Sequence, residues 1–205
     1  MSKLTMTTFL TIDGVMQAPG GPPEDPSGGF SYGGWLVPFF DEVTGKFMTE
    51  VFERADAFLL GRTTYQIFAN HWPRVTDPAD PIASKLNALP KHVATKTLDR
   101  VEWNNSSLVR DVVSDVATLK ARYARELQVH GSAGLAQTLI EHDLVDEYHL
   151  LVFPVVLGSG KRLFAAGAVP AKMKLLHTRT TSTGTIIASY ARAGKPTQGS
   201  FMLDP

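Results

Sequence analysis

The sequence predicts an α/β protein: a mixed, mainly parallel sheet flanked by helices on both faces and finished by a C-terminal antiparallel hairpin. Three observations predict it. Strand-like apolar runs alternate with segments of helical periodicity along residues 4–157. Two of those runs, at 57–60 and 127–131, pass through glycine directly into a helix. The last two strand-like segments, 172–182 and 185–192, have no helix between them and meet at Thr183-Gly184, as a hairpin would.

Each element follows from its residues. Segment 4–12 mixes Thr and Phe with Leu, Met and Ile, reads as a strand, and closes at Asp13-Gly14. Residues 17–34 are dense in Gly and Pro and cannot be regular, so they are read as a lid-like loop. Over 39–54, Phe40, Val43, Phe47, Val51 and Phe52 fall near one helical face. The run 57–60 is apolar throughout, as a strand buried on both faces requires. A helix follows over 62–70, ended by Trp72-Pro73, and a second short one over 81–89.

Strands are predicted at 91–96 and 106–109, and a helix at 114–125 with Val116, Leu119 and Tyr123 on one side. Strand 127–131 leads to Ser132, placed to cap a helix carrying Leu135, Leu139 and Ile140. Segment 146–157 reads as a long apolar strand, central core or part of an interface between copies. The tail from Gly194 is expected to fray. The whole chain, 1–205, is read as one domain.

Composition narrows the function classes. Twenty Lys and Arg balance twenty Asp and Glu, so nothing draws the chain to nucleic acid or an anionic membrane. No cysteine is present, which removes disulfides, thiolate catalysis and Cys-based zinc sites. The six histidines lack metal-ligand spacing, so no metal is expected. The N-terminus lacks the pattern of a secretory signal and no apolar run is long enough to span a membrane, so a cytoplasmic protein is expected.

Three turns could carry chemistry. Gly61-Arg62-Thr63-Thr64-Tyr65 ends a buried strand and opens a helix, whose free amides attract phosphate. Its plainer reading is a capped helix with a solvent-facing arginine. His130-Gly131-Ser132-Ala133-Gly134-Leu135 repeats the geometry, with small side chains that admit a ligand to the backbone or simply let helix and sheet pack closely. In Pro154–Arg162, Lys161 and Arg162 could meet an anionic group or be solvated turn charges. Asp13 and Asp41 are the candidate acids. Asp13 can also hold the turn with Gly14, and Asp41 can also be favoured by a helix dipole. Trp35, Phe39 and Phe40 could roof a pocket or form ordinary core.

Together these segments resemble the reductase-domain family of riboflavin biosynthesis, which shares the dihydrofolate reductase fold. Thr11-Ile12-Asp13-Gly14 is similar to the family's Ser-Leu-Asp-Gly. Gly61-Arg62-Thr63-Thr64-Tyr65 is similar to Gly-Arg-x-Thr-Tyr. Val129-His130-Gly131-Ser132 stands where the riboflavin enzymes carry Val-Glu-Gly-Gly. Leu144-Val145-Asp146-Glu147 through Pro154-Val155-Val156-Leu157-Gly158 is similar to Leu-Val-Asp-Glu … Pro-x-x-Leu-Gly. The resemblance covers about residues 3–192. Its departures are His130 in place of glutamate and the missing deaminase domain that often precedes this reductase.

The resemblance implies an NADPH-dependent reductase of a pyrimidine- or pterin-like heterocycle, similar to 5-amino-6-(5-phosphoribosylamino)uracil reductase. It implies that Arg62, Thr63 and Thr64, with Gly61, hold the adenosine phosphates, and that Thr95 and Lys96 flank the adenine ribose. Gly131, Ser132, Ala133, Gly134 and Leu135 would meet the pyrophosphate and nicotinamide side. Trp35, Phe39, His130, Tyr148 and Arg162 would contact substrate, with Asp13, Asp41 or an ordered water supplying a proton. Trp35 and Asp41 resemble the Trp and acid of dihydrofolate reductase, with spacing that differs by one residue. A homodimer is implied. The alternatives are a true dihydrofolate reductase and a non-catalytic nucleotide-binding protein on the same fold.

Overall fold

A computed structural model describes residues 1–165 and 168–202. Strands β1 (Lys3–Thr11), β2 (Ala55–Gly61), β3 (Lys91–Ala94), β4 (Ser106–Val109), β5 (Glu126–His130), β6 (Glu147–Phe153), β7 (Met173–Thr180) and β8 (Ile186–Arg192) form one sheet. Their order is β4-β3-β2-β5-β1-β6-β8-β7. The first six run parallel, and β8 is antiparallel to both β6 and β7. Helices α1 (Glu42–Glu53), α2 (Arg62–His71), α3 (Pro81–Ala88), α4 (Val112–Arg122) and α5 (Ala133–Glu141) cover the two faces. This is the mixed sheet with an antiparallel hairpin that the sequence predicts.

Strand periodicity sorts the core into two layers. In β2, Phe58 and Leu60 point to the layer holding Phe47, Val51 and Phe52 of α1, Tyr65 of α2 and Leu86 of α3. Ala57 and Leu59 point to the other, with Val116 and Leu119 of α4 and Leu135 and Leu139 of α5. A strand covered on both sides must be apolar throughout, which is why 57–60 carries no polar residue.

Chain direction changes around β1 and β5. After β1 the chain crosses β5 to reach β2, and after β5 it crosses β1 to reach β6. The crossover helices α1 and α5 therefore lie on opposite faces. A crevice opens between such diverging connections at the carboxyl ends of the strands.

Several boundaries move, each for a local reason. The helix expected over 39–54 begins at Glu42, because Asp41 is its N-cap and Val37–Phe39 form a 3-10 turn. Phe40 and Val43 are consequently exposed, not core. The helix expected at 114–125 runs from Val112 to Arg122, with Asp111 as its cap. The strand expected over 146–157 stops at Phe153, before Pro154, which has no amide to donate. It is an interior strand, paired with β1 and β8.

Ser132 stands at the N-cap position of α5, yet its side chain does not cap that helix. Segment 17–34 is irregular apart from a 3-10 turn at Ser27–Gly29. It is pinned by Gln17, whose Nε2 donates to the carbonyls of Asp25 and Ser27, and by Trp35 Nε1 donating to the Gln17 carbonyl. The tail over 194–202 carries no helix or strand, and its last three residues, 203–205, lie outside the described residues. No helix among the described residues is long and apolar enough to cross a membrane.

Candidate functional site

A cavity of about 1500 Å³ occupies the crevice at the carboxyl ends of β2, β3 and β5, beside β1. The turns after those strands supply Gly61–Thr64, Ala94–Thr97 and His130–Leu135 to its wall. Residues 16–20 and 24–25 close it from the first loop, and Leu36, Phe40, Met48 and Phe52 give it an apolar end.

Three helices start at this wall, α2, α4 and α5, and α2 and α5 differ from the rest at their N-termini. Asp41, Asp80 and Asp111 cap α1, α3 and α4 through their carboxylates. Neither α2 nor α5 has a side-chain cap. Their first-turn amides, together with the positive ends of both helix dipoles, are left to the cavity.

The two turns are also joined. Ser132 Oγ accepts the Gly61 amide at 2.9 Å and donates to Thr64 Oγ1 at 2.8 Å. Gly131 and Ser132 both adopt left-handed conformations, with φ of 60° and 66°, and the Gly131 amide donates to the Thr7 carbonyl. Glycine at 61 permits the close approach of the turns: a Cβ there would sit 3.0 Å from the Ser132 Cβ, which would have to give way. A non-glycine residue in the left-handed region stores strain, and such strain gathers at functional sites.

Cations collect at one end. Arg62 Nη1 donates to Thr97 Oγ1 at 2.9 Å, Arg110 Nη1 donates to the Thr95 carbonyl at 3.1 Å, and Lys96 also lines the wall. Near the sheet, Thr7 and Thr8 are among the residues around the cavity. Their hydroxyls are enclosed and have no hydrogen-bond partner among the described residues. Among the described residues, no group of three or more His, Asp or Glu could hold a metal ion.

The cavity gathers all of Gly61, Arg62, Thr63, Thr64, Thr95, Lys96, Gly131, Ser132, Ala133, Gly134 and Leu135, together with His130 and Arg162. It does not include Asp13, Asp41, Trp35, Phe39 or Tyr148. Asp13 accepts from Thr11 Oγ1 and from the Leu157 and Gly158 amides, and it pairs with Arg162. The Thr11 hydroxyl and those two amides hold its carboxyl below the usual carboxylate range. Asp41 caps α1 through Thr44 and also accepts from the Ser182 amide and hydroxyl, tying α1 to the hairpin. Those bonds, the Thr44 amide foremost, depress its pKa strongly.

Trp35 is core, edge-on to Phe153 at 5.7 Å, and the Phe39 carbonyl accepts from Thr183 Oγ1. Tyr148 packs in the layer of α4 and α5, and burial pushes its phenol up to about 12. Arg162 reaches the wall, but its guanidinium is held by the Asp13 carbonyl and carboxylate. Lys161 is likewise tied to Asp25 and Ser27.

Four features of the site escaped sequence reasoning. Thr7 and Thr8 lie inside a segment read only as a strand, and Arg110 lies between two predicted elements with no role assigned to it. Phe52 was assigned to the core, which it also serves. Glu24, inside the Gly/Pro loop, lines the cavity, and burial raises its pKa. The only signal pointing to it was membership of the loop expected to cover the site.

A model of the RibD C-terminal domain matches residues 2–187. The chain belongs to the RibD C-terminal domain family. Relatives of this RibD-type domain include two uncharacterized proteins of Bacillus subtilis strain 168. YyaP is 26% identical over 191 residues, covering 92% of this chain and 94% of its own. YwjB is 27% identical over 146 residues, covering 71% and 78%. Among solved structures, a putative riboflavin biosynthesis protein from Shewanella sp. PV-4 superposes with a TM-score of 0.70 at 21% identity, covering 93% of this chain and 99% of that one. A pyrimidine reductase-like protein from Corynebacterium diphtheriae gives 0.61 at 13% identity, covering 94% and 92%. At those identities the likeness shows the fold, which the RibD C-terminal domain and these proteins share.

Proposed function

We propose that this RibD-type domain is an NADPH-dependent reductase of a pyrimidine- or pterin-like heterocycle. One observation carries the reading: two uncapped helix N-termini, joined through the Gly61–Ser132 hydrogen bond, face one large cavity that has a cationic end and an apolar end. An extended dinucleotide phosphate fits that sequence of surfaces. The α2 and α5 amides with Thr63 and Thr64 would hold the phosphates. Arg62, Lys96 and Arg110 would take the added ribose phosphate, a task for charge and bidentate donors.

When bound, the dinucleotide supplies a hydride. The protein's own residues would orient the acceptor ring against Phe52, Met48 and Leu36 and exclude water from it. For the proton, Glu24 is better placed than Asp13 or Asp41. It lines the cavity and, although one of its oxygens accepts the Gly20 amide at 2.6 Å, burial raises its pKa above the ordinary carboxyl range, whereas the two aspartates lie outside the cavity.

The names of the neighbours, a riboflavin biosynthesis protein and a pyrimidine reductase-like protein, support a heterocyclic substrate. We read the protein as cytoplasmic, in keeping with a chain that uses no cysteine. A homodimer is in keeping with exposed Leu175 and Leu176 on the edge strand β7, and sedimentation velocity tests it. The activity is tested by following NADPH oxidation with the phosphoribosylamino-uracil of riboflavin biosynthesis and with dihydrofolate. Turnover on the first supports the reading. Preference for dihydrofolate selects the alternative substrate, and oxidation with neither contradicts the enzymatic reading.

A further inference from the structure

Behind the cavity, a chain of buried polar side chains runs along β5. Glu126 is salt-bridged to Arg54 at 2.7 Å, and Gln128 Nε2 lies 2.7 Å from the Glu126 carboxylate. The same Nε2 lies 2.7 Å from the Val51 carbonyl, a group that can only accept. This fixes the amide: its NH₂ group faces Val51 and Glu126, and its oxygen faces the other way. That oxygen is 3.0 Å from His130 Nε2. An amide oxygen only accepts, so His130 Nε2 must carry a hydrogen.

His130 is 5% exposed and stacked on Phe52 at 4.4 Å, with Phe58 at 5.8 Å. Burial, then the neighbouring His149, pushes its pKa down to about 3, so the ring is neutral near pH 7. A neutral ring protonated at Nε2 has a bare Nδ1. That atom has no hydrogen-bond partner among the described residues, and His130 is one of the residues that line the cavity. Thr7 is the register partner of His130 across β1 and β5, and its hydroxyl too has no partner among the described residues.

We propose that Gln128 is a positioning residue that locks His130 in its Nε2–H form, so that the cavity selects a ligand presenting an N–H or O–H donor to Nδ1. The proposal rests on the cavity being the ligand site of the preceding section, but on no step of hydride transfer. A ring N–H of a heterocycle is such a donor. A heterocycle with that nitrogen methylated leaves Nδ1 unpaired and brings a methyl group against it.

Nitrogen-15 NMR of the imidazole rings in the intact protein tests the tautomer. The expected result is a proton on Nε2 and none on Nδ1 of His130; a protonated Nδ1 overturns the proposal. Gln128→Met, of similar length without the acceptor, should give a tautomer mixture, and an unchanged Nε2–H form in that variant also overturns it. With NADPH present, uracil should perturb the His130 ring at concentrations about tenfold lower than 1,3-dimethyluracil does, a difference of about 1.4 kcal/mol. An equal response to both, or to neither, overturns the selection. NADPH affinity of Gln128→Met should change less than about twofold, since its effect is confined to the heterocycle end. Failure of NADPH to bind at all, with the ring results intact, would defeat the hydride reading and leave this one standing.

Discussion

The Gly61 amide donates to Ser132 Oγ at 2.9 Å, and this bond joins the two turns that open α2 and α5. Seventy-one residues separate the partners in sequence. The same hydroxyl donates to Thr64, so one serine orders both turns. Ser132→Ala removes both bonds. We expect it to cost about 1–2 kcal/mol of stability, read from urea midpoints. NADPH affinity should fall about tenfold, because the amides of the two turns lose their common register. Gly61→Ala should weaken NADPH more than it weakens the fold, since its Cβ would press on Ser132 at 3.0 Å.

The cationic end should decide between the two nicotinamide dinucleotides. Arg62 and Arg110 are held in place by Thr97 and the Thr95 carbonyl. Arg62→Ala and Lys96→Ala should each cut NADPH affinity by about tenfold, the scale of a lost charge-assisted contact. NADH affinity should change by less than about twofold. Parallel titrations of the two dinucleotides check this.

Asp41 and Glu24 should separate stability from turnover. Asp41→Ala removes the cap of α1 and the link to Ser182. It should lower the melting temperature while NADPH affinity stays within about twofold, because the carboxylate lies outside the cavity. Glu24→Gln should retain NADPH binding and reduce turnover by at least about tenfold, the low end for loss of a general acid. Steady-state rates beside melting curves distinguish the two.

Two buried histidines should make the fold acid-sensitive. Burial lowers the pKa of His130 to about 3 and that of His149 to about 4. The unfolded chain titrates near 6.5. Each depressed histidine therefore contributes stability that is complete above about pH 6.5 and is lost as pH falls toward the folded value. Between pH 7 and pH 5 the unfolded state binds more protons, and stability should drop by on the order of 2 kcal/mol per histidine. Burial of His92 acts in the same direction. Urea unfolding at the two pH values checks the sign, and His149→Phe should flatten the slope.

Much of the sheet was legible because periodicity is local. The apolar run 57–60, the mainly parallel direction of the sheet and the Thr183-Gly184 hairpin follow from residues close together in sequence. So do the glycine turns, whose chemistry depends on what the next residue can adopt. The turn role open to Asp13, the helix-start role open to Asp41 and the core role open to Trp35 were legible, because each has a local part. Their long-range ties, to Gly158, Ser182 and Gln17, were not, nor were the partners of Phe39 and Tyr148, Thr183 and Phe164. Ser132 looked like a helix cap, because that is the usual work of serine before a helix. Its left-handed backbone and its bond to Gly61 come from the close approach of two separate turns.

The central claim is that the joined turns form a dinucleotide site, and a fluorescence titration of the intact protein with NADPH tests it most directly. Saturable binding in the micromolar range, weakened about tenfold by Ser132→Ala, is the predicted result. No saturable binding at millimolar NADPH, or affinity unchanged in that variant, would contradict it.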